Sequence, residues 1–211
     1  VLQRKSATRR DRRPVLAEVR ASVANSDGRS VGLTAPSRDA QIRLFRRALH
    51  TAGAGPEDIG MVEGHGTGTR LGDRTELTSL AATYGAGAPG RGPLLGSVKS
   101  NVGHTQAAAG ALGLAKVLLA AQHGAVPATL HVDERSSEID WENTALRLAA
   151  KSTAWPARGG ARIGAVSAFG MSGTNAHVVV EVLNEGEERL EQLAQIQARV
   201  GISRVAALLL L

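Results

Sequence analysis

The chain has 211 residues, a net charge of +6, 25 glycines, no cysteine and only five Phe, Trp and Tyr residues. The lack of cysteine excludes a disulfide framework, a thiolate metal site and a cysteine nucleophile supplied by this chain. No basic segment followed by an apolar one opens the sequence, and no run of about 18 apolar residues occurs, so we expect a cytoplasmic protein that is neither secreted nor membrane-spanning.

Basic residues crowd the start of the chain and raise the question of nucleic-acid binding. They are Arg4, Lys5, Arg9, Arg10, Arg12 and Arg13. No aromatic residue lies among them, so a stacking platform for bases is not expected. We interpret the cluster as a solvated basic loop or a docking patch for an acidic partner, and we expect no nucleic-acid partner.

The first half of the chain is predicted to alternate between strands and helices. Alternating apolar residues predict a strand over residues 14–23, ended by turn formers at residues 25–28. Apolar residues at helical spacing predict a helix over residues 40–52. A strand at residues 59–63 then leads through a glycine-rich loop to a helix at residues 74–84, so the loop lies between a strand and a helix.

The same order repeats in the second half. We predict a strand at residues 94–98, a polar loop at 99–105 and a helix at 107–122, whose Ala, Leu, Gly and Val residues suggest burial on most faces. A strand at 162–168, a loop at 169–175 and a strand at 176–183 complete the pattern. Strands alternating with helices predict a layered α/β domain in which loops at strand ends carry the chemistry.

The composition changes after the last predicted strand. From residue 185 the chain is acidic and Gln-rich, with apolar residues at helical spacing and a final run of leucines. We therefore divide the chain into a domain at residues 1–184 and a linker or partner-helix tail at residues 185–211.

The first loop surrounds His65 with glycines and two threonines, which would let a thin substrate approach the backbone. A dinucleotide site is disfavoured, because the glycine spacing is G-x-G-x-G and Tyr84 stands about 20 residues on, where an acidic residue is needed. His65, Asp73 and Glu76 form no standard metal ligand set, so we expect no metal. We interpret the two carboxylates as charges that complement the N-terminus of the following helix.

The second loop places Lys99 five residues before His104. The third loop and the first two residues of the following strand, together residues 169–177, are small and polar with backbone N–H groups suited to an oxyanion. Two imidazoles, an ammonium and a glycine-rich turn suit acid/base and oxyanion chemistry on a carbonyl compound. The spacing alone does not name the reaction.

Three motifs carry a resemblance to a known family. They are VEGHGTGT at residues 62–69, GSVKSNVGHTQAAAG at 96–110 and SGTNAH at 172–177. These segments resemble the ketosynthase (β-ketoacyl synthase) domains of modular type I polyketide synthases, and the likeness runs from about residue 1 to 184. The resemblance implies the C-terminal half of a thiolase-like fold, a layered α/β structure with a mixed sheet and helices on both faces.

The resemblance also implies roles for individual residues. His65, His104 and Lys99 correspond to catalytic positions, and Thr67, Thr69, Phe169 and Met171 to substrate-binding ones. In this family an active-site cysteine from the N-terminal half accepts an acyl chain, and the histidines assist decarboxylation of a malonyl-type extender. The expected partners are that cysteine-bearing half, an acyl carrier protein and a second ketosynthase in a dimer. No cofactor is expected on this chain; the phosphopantetheine arm of the carrier delivers the substrate.

Two alternatives stay open at this point. The chain could be a noncatalytic structural or docking half-domain, or part of an enzyme that only decarboxylates and serves chain loading. The residue at the nucleophile position would decide the second question, and it is not in this sequence. Three positions depart from the family pattern: Gly64 replaces Ala, Arg74 replaces Pro and Ala165 replaces Gly.

Overall fold

The computed structural model describes residues 2–11, 15–29, 32, 34–158 and 160–183. These residues form five α-helices and eight strands. The helices are α1 (Lys5–Arg10), α2 (Arg38–Ala52), α3 (Arg70–Ala81), α4 (Lys99–Val102) and α5 (Ala109–His123). The strands are β1 (Glu18–Ser26), β2 (Ile59–Glu63), β3 (Leu94–Gly96), β4 (Ala125–Val126), β5 (Arg147–Leu148), β6 (Thr153–Ala154), β7 (Ala161–Phe169) and β8 (Thr174–Leu183). The predicted tail at residues 185–211 lies outside the described residues.

A mixed sheet of six strands organises the domain. Its order is β1-β8-β7-β2-β3-β5, and β4 pairs with β6 in a separate two-stranded sheet. The strands β1, β8 and β7 pair antiparallel, whereas β7, β2, β3 and β5 run parallel to one another. Because the parallel strands end at one edge of the sheet, the loops after β2, β3 and β7 meet there.

Helices cover both faces of the large sheet, as the layered α/β prediction requires. On one face Phe45 of α2 packs in a cluster with Val62 of β2 and Val179 of β8. On the other face Val117 of α5 packs in a cluster with Met61 of β2. Neighbouring residues such as Met61 and Val62 point to opposite faces because side chains alternate along a strand.

Helix α2 follows the sequence prediction closely. It begins at Arg38, two residues earlier than predicted, because the Ser37 hydroxyl accepts a hydrogen bond from the Ala40 N–H and caps the helix. It ends at Ala52, as predicted, where Gly53 adopts the left-handed conformation with φ 62°. Both ends are thus determined by residues that can be recognised in the sequence.

Several predicted boundaries are wrong. Residues 99–102 form helix α4 where a loop was expected, and basic residues 5–10 form helix α1. Helix α3 begins at Arg70, four residues earlier than predicted, and ends at Ala81, three residues earlier than predicted. Strand β1 extends to Ser26, through the first two predicted turn residues, because Ser26 still pairs with Thr174 of β8.

Helix α5 also differs from its prediction. Its composition suggested burial on most faces, yet its buried residues form one stripe: Ala109, Gly113, Lys116, Val117, Ala120 and Ala121. The stripe packs on β7 and β2. The stripe includes one charged residue, Lys116, which is only 2% exposed.

Two glycines in the sheet make room for the indole of Trp155. A Cβ atom at Gly60 of β2 would overlap the Trp155 indole nitrogen, and one at Gly164 of β7 would lie 3.1 Å from the indole ring. Trp155 is 4% exposed and belongs to the cluster on the α5 face. The absence of side chains at these positions therefore shapes the core.

We expect Gly60→Ala to lower the free energy of unfolding by about 1–3 kcal/mol, because the new methyl group overpacks the core against Trp155. Urea unfolding followed by tryptophan fluorescence measures this change. Gly87→Ala is the matched control, since its Cβ would lie 3.5 Å from that of Ala145 in ordinary contact. Equal stability of the two variants would contradict the packing described here.

Candidate active site

The first histidine lies on the loop between β2 and α3, and a buried carboxylate fixes that loop. Glu76 accepts hydrogen bonds of 2.8 Å from the backbone N–H groups of His65 and Gly66. Burial raises the pKa of Glu76 to about 7, although these two hydrogen bonds act in the opposite direction. The interpretation of Glu76 as a charge at a helix N-terminus is therefore wrong, because this residue anchors the His65 loop.

A close approach between two loops explains one glycine of the first motif. Gly66 has φ 44°, and a Cβ atom there would lie 2.9 Å from the Ser97 side chain. The Ser97 hydroxyl also donates to the Gly66 carbonyl oxygen at 3.4 Å. A side chain at position 66 would thus push apart the loops after β2 and β3.

The two threonines of the motif lie together near the start of α3. Their hydroxyl oxygens are 3.2 Å apart, and Thr69 is exposed while Thr67 is partly buried. Asp73, in the first turn of α3, accepts a hydrogen bond from the Gly68 N–H at 3.1 Å and holds the loop between them. The hydroxyl groups of Thr67 and Thr69 can therefore be reached from solvent.

The second histidine follows α4 and is exposed. His104 Nδ1 accepts a hydrogen bond of 3.0 Å from the backbone N–H of Gln106. To make this contact Gln106 adopts φ 53°, a left-handed conformation that is uncommon for a residue with a side chain. Such local strain is typical of functional sites, where the surrounding structure maintains it.

The structure brings the two predicted histidines together. The ring centroids of His65 and His104 are 5.6 Å apart, and the rings are nearly perpendicular at 86°. The Phe169 N–H donates a long hydrogen bond of 3.4 Å to His65 Nδ1. Because Nδ1 accepts in both rings, the proton of each neutral imidazole lies on Nε2. The pair therefore offers two Nε2–H donors.

Electrostatics keep the first imidazole neutral. Burial lowers the pKa of His65 to about 4, and the nearby charge of Lys99 adds to this effect. Lys99 itself is partly buried, and burial lowers its pKa. Among the described residues the Lys99 ammonium makes no hydrogen bond, including none to the His104 loop. Its influence on the site is through its charge.

The third loop is shorter than predicted. Phe169, Thr174 and Asn175 belong to strands, and only Gly170 to Gly173 form the turn. The N–H groups of Gly170 and Gly173 donate within the turn, at 2.7 and 2.9 Å. Met171 is 81% exposed at its tip.

Phe169 connects this turn to the first histidine and to the core. Its ring centroid lies 5.3 Å from that of His65 and 6.3 Å from that of Phe45 on α2. Of the four predicted substrate-binding residues, Phe169 is thus in ring contact with His65, whereas Thr67, Thr69 and Met171 lie at the surface of the loops.

A cleft adjoins the first two loops. Its volume is about 470 Å³, within the range of small-molecule sites, and its walls include His104, Lys99, Asp73, Thr67 and His131. The described residues contain no group of three or more His, Cys, Asp or Glu side chains arranged to hold a metal ion.

Two buried networks beside the site escaped the sequence interpretation. His177 of β8 accepts or donates hydrogen bonds to Tyr84 at 2.7 Å and to Ser167 at 3.1 Å. Glu63 of β2 forms an ion pair with Lys116 of α5 at 2.8 Å. His177 stands at the end of the third motif, and nothing in the sequence around it indicates its buried partners. For the second network the signal in the sequence is Lys116, a lysine in an otherwise apolar helix.

The comparisons with known proteins identify the class. The family described as "Beta-ketoacyl synthase, C-terminal domain" matches residues 16–133. A ketosynthase from module 6 of the bacillaene synthase of Bacillus subtilis 168 superposes with a TM-score of 0.81 and 38% identity, covering 88% of this chain and 34% of that one. The chain belongs to the β-ketoacyl synthase family and corresponds to the C-terminal domain of that family. It has the α/β fold of the ketosynthases.

Its relatives narrow this class further. The chain is 54% identical over 189 residues to erythronolide synthase EryA3 of Saccharopolyspora erythraea and 52% identical over 184 residues to the pikromycin polyketide synthase component PikAIII of Streptomyces venezuelae. The two alignments cover 89% and 86% of this chain, respectively. The sequence is that of the C-terminal part of a ketosynthase of a modular polyketide synthase, as its motifs predicted.

The chain spans only a small share of these relatives, 6% of EryA3 and 12% of PikAIII. Among the described residues, no helix is both long and apolar enough to cross a bilayer.

Proposed function

We propose that this chain supplies the decarboxylation half of a ketosynthase active site, in which an acyl thioester condenses with a malonyl-type extender on an acyl carrier protein. One observation carries the proposal: two imidazoles lie 5.6 Å apart, and in both of them the backbone occupies Nδ1. The two Nε2–H groups are thereby free to donate to the same substrate oxygen.

In the proposed first step the extender loses CO₂. The bond between the extender carbon and its carboxylate breaks, and the electron pair moves into the thioester to give an enolate. His65 and His104 donate from Nε2 to the enolate oxygen, where the negative charge develops. The charge of Lys99 favours this anion and disfavours protonation of His65, whose pKa is about 4.

In the second step the enolate carbon attacks the acyl thioester held on a cysteine. A new carbon–carbon bond forms, the carbon–sulfur bond breaks and the thiolate leaves, so that a β-ketoacyl thioester remains on the carrier. This sequence contains no cysteine, so a cysteine-bearing N-terminal segment must supply the nucleophile. We assign the Met171 N–H to the oxyanion of the intermediate.

The other assignments concern substrate delivery. The accessible hydroxyls of Thr67 and Thr69 are proposed to bind the phosphopantetheine arm, and Phe169 to gate the site beside His65. An acyl carrier protein brings that arm, and we expect the assembled ketosynthase to be a dimer.

Co-expression with a cysteine-bearing ketosynthase segment tests the proposal. We expect the purified assembly to convert an acyl thioester and malonyl carrier protein into a β-ketoacyl product, detected by mass spectrometry. A cysteine-to-serine variant of the added segment is the control and should give no condensation product. A stable assembly that neither condenses nor decarboxylates would refute the proposal and favour a noncatalytic docking role.

A further inference from the structure

A buried ion pair lies directly behind the two histidine loops. The Glu63 carboxylate and the Lys116 ammonium are 2.8 Å apart, and both side chains are 2% exposed. Removing two charges from water is unfavourable, and well-packed apolar residues are often at least as stable as a buried ion pair. Stability alone therefore does not account for this pair, which we call the Glu63/Lys116 pair.

The pair connects the segments that carry the site. Glu63 is the last residue of β2, two residues before His65, and its Oε1 accepts a hydrogen bond from the backbone N–H of Val98. Val98 directly precedes Lys99 at the start of α4. Lys116 lies on α5, the helix that follows the His104 loop. One pair thus joins the backbone segments of both histidines and of Lys99.

The surrounding backbone is shaped to admit this pair. A Cβ atom at Gly113 of α5 would lie 3.1 Å from the Glu63 Cγ, and one at Gly96 of β3 would lie 3.3 Å from the Lys116 Nζ. Both distances are shorter than ordinary contacts between side chains. Two positions without side chains therefore let α5 and β3 approach the pair closely.

A second cation stands near the same carboxylate. Burial lowers the pKa of Lys99, and the charge of Glu63 is the strongest influence acting against this shift. The charges of both Lys116 and Lys99 therefore act on the Glu63 carboxylate, and they oppose the rise in its pKa that burial causes.

We propose that the Glu63/Lys116 pair is a positioning element, which holds the Val98 N–H and thereby fixes the spacing of the His65 and His104 loops for decarboxylation. The inference rests on the proposed function. Neither residue touches the substrate; both act through the loops that carry the histidines.

The test separates charge from position by means of two neutral double variants. In Glu63→Gln with Lys116→Met, the amide oxygen can still accept from Val98; in Glu63→Met with Lys116→Met, no acceptor remains. Both are made in the intact ketosynthase, with the cysteine-bearing segment present. Acylation of the cysteine and decarboxylation of malonyl carrier protein are measured separately, and Val117→Ala on the same helix serves as the packing control.

We expect the variant without an acceptor to decarboxylate about 10–100-fold more slowly than the wild type, as small misplacements of catalytic groups do. Its cysteine should acylate at the wild-type rate. The variant that keeps the acceptor should decarboxylate within about threefold of the wild type, because the Val98 contact survives. Equal decarboxylation by both double variants would overturn the proposal.

A spectroscopic readout keeps the test independent of turnover. The ring proton signals of His65 and His104 in NMR spectra should shift in the variant without an acceptor and stay in place in the other. If the wild type itself fails to decarboxylate, the proposed function fails, and the NMR comparison still decides whether the pair positions the loops. Unmoved histidine signals in both variants would refute the positioning role. If the variant without an acceptor does not fold, the Glu63→Gln variant carries the test, and a rate far below wild type would refute it.

Discussion

His65→Ala in the intact ketosynthase is expected to slow decarboxylation of malonyl carrier protein by about 10²–10³-fold, the usual effect of removing one donor to a developing oxyanion. The same loss is expected for His104→Ala, because each ring offers one Nε2–H to the enolate. The two effects should not add, since two donors that serve one oxygen act as a unit. Decarboxylation is followed by release of CO₂ or by loss of malonyl carrier protein in mass spectra.

Two controls make this result specific. Acylation of the cysteine should continue in both variants, because that step does not pass through the enolate. His123→Ala removes an exposed histidine at the end of α5 and should leave both steps unchanged. If either active-site variant decarboxylates as fast as the wild type, the histidines do not have the roles that we propose for them.

His177→Gln is expected to change how the stability of the domain depends on pH. Burial lowers the pKa of His177 to about 3, from an ordinary value of 6.5. The folded state therefore keeps a neutral ring, whereas the unfolded state takes up a proton below pH 6.5. The stabilisation is complete above that pH and is lost as the pH falls, by about 2 kcal/mol between pH 7.5 and pH 5.0.

Glutamine cannot take up this proton, so the stability of the variant should lack this pH dependence. The free energy of unfolding of the wild type minus that of the variant should therefore be about 2 kcal/mol smaller at pH 5.0 than at pH 7.5. Urea unfolding at both pH values measures the difference. Glu76, whose raised pKa works in the opposite direction, is present in both proteins and cancels. The exposed His50→Gln is the matched control. If the difference in free energy of unfolding between the wild type and His177→Gln is the same at both pH values, His177 is not buried as described.

The local signals in the sequence predicted much of the fold. Helix α2 has a serine before it and a glycine after it, and its apolar residues recur at helical spacing, so its end was predicted to the residue. Strand β2 is a short apolar run bounded by a glycine loop, and both of its ends were right. The sequence pattern placed His65 on a loop after a strand at residues 59–63 and His104 on a loop after a strand at residues 94–98, and the structure brings the two ring centroids to 5.6 Å.

The missed features depend on partners distant in the sequence. Tyr84 and His177 are 93 residues apart, and neither has a neighbour in the sequence that reveals the hydrogen bond between them. Lys116 looks like a solvent-facing residue until Glu63 is placed opposite it on β2. Glu76 resembled a helix-terminal charge because its hydrogen-bond donors, the N–H groups of His65 and Gly66, lie ten and eleven residues away in the sequence and meet its carboxylate only in the folded chain.

The left-handed Gln106 has a consequence for how this site can vary. Its N–H and that of Phe169 select the tautomer of the two histidines, so the main chain, and not any side chain, decides where the proton of each imidazole resides. Side chains that line the neighbouring cleft, apart from His104 itself, can then be exchanged without removing either of these backbone donors. Proton placement at the two imidazoles thus depends on the conformation of the main chain and not on the composition of the rest of the cleft.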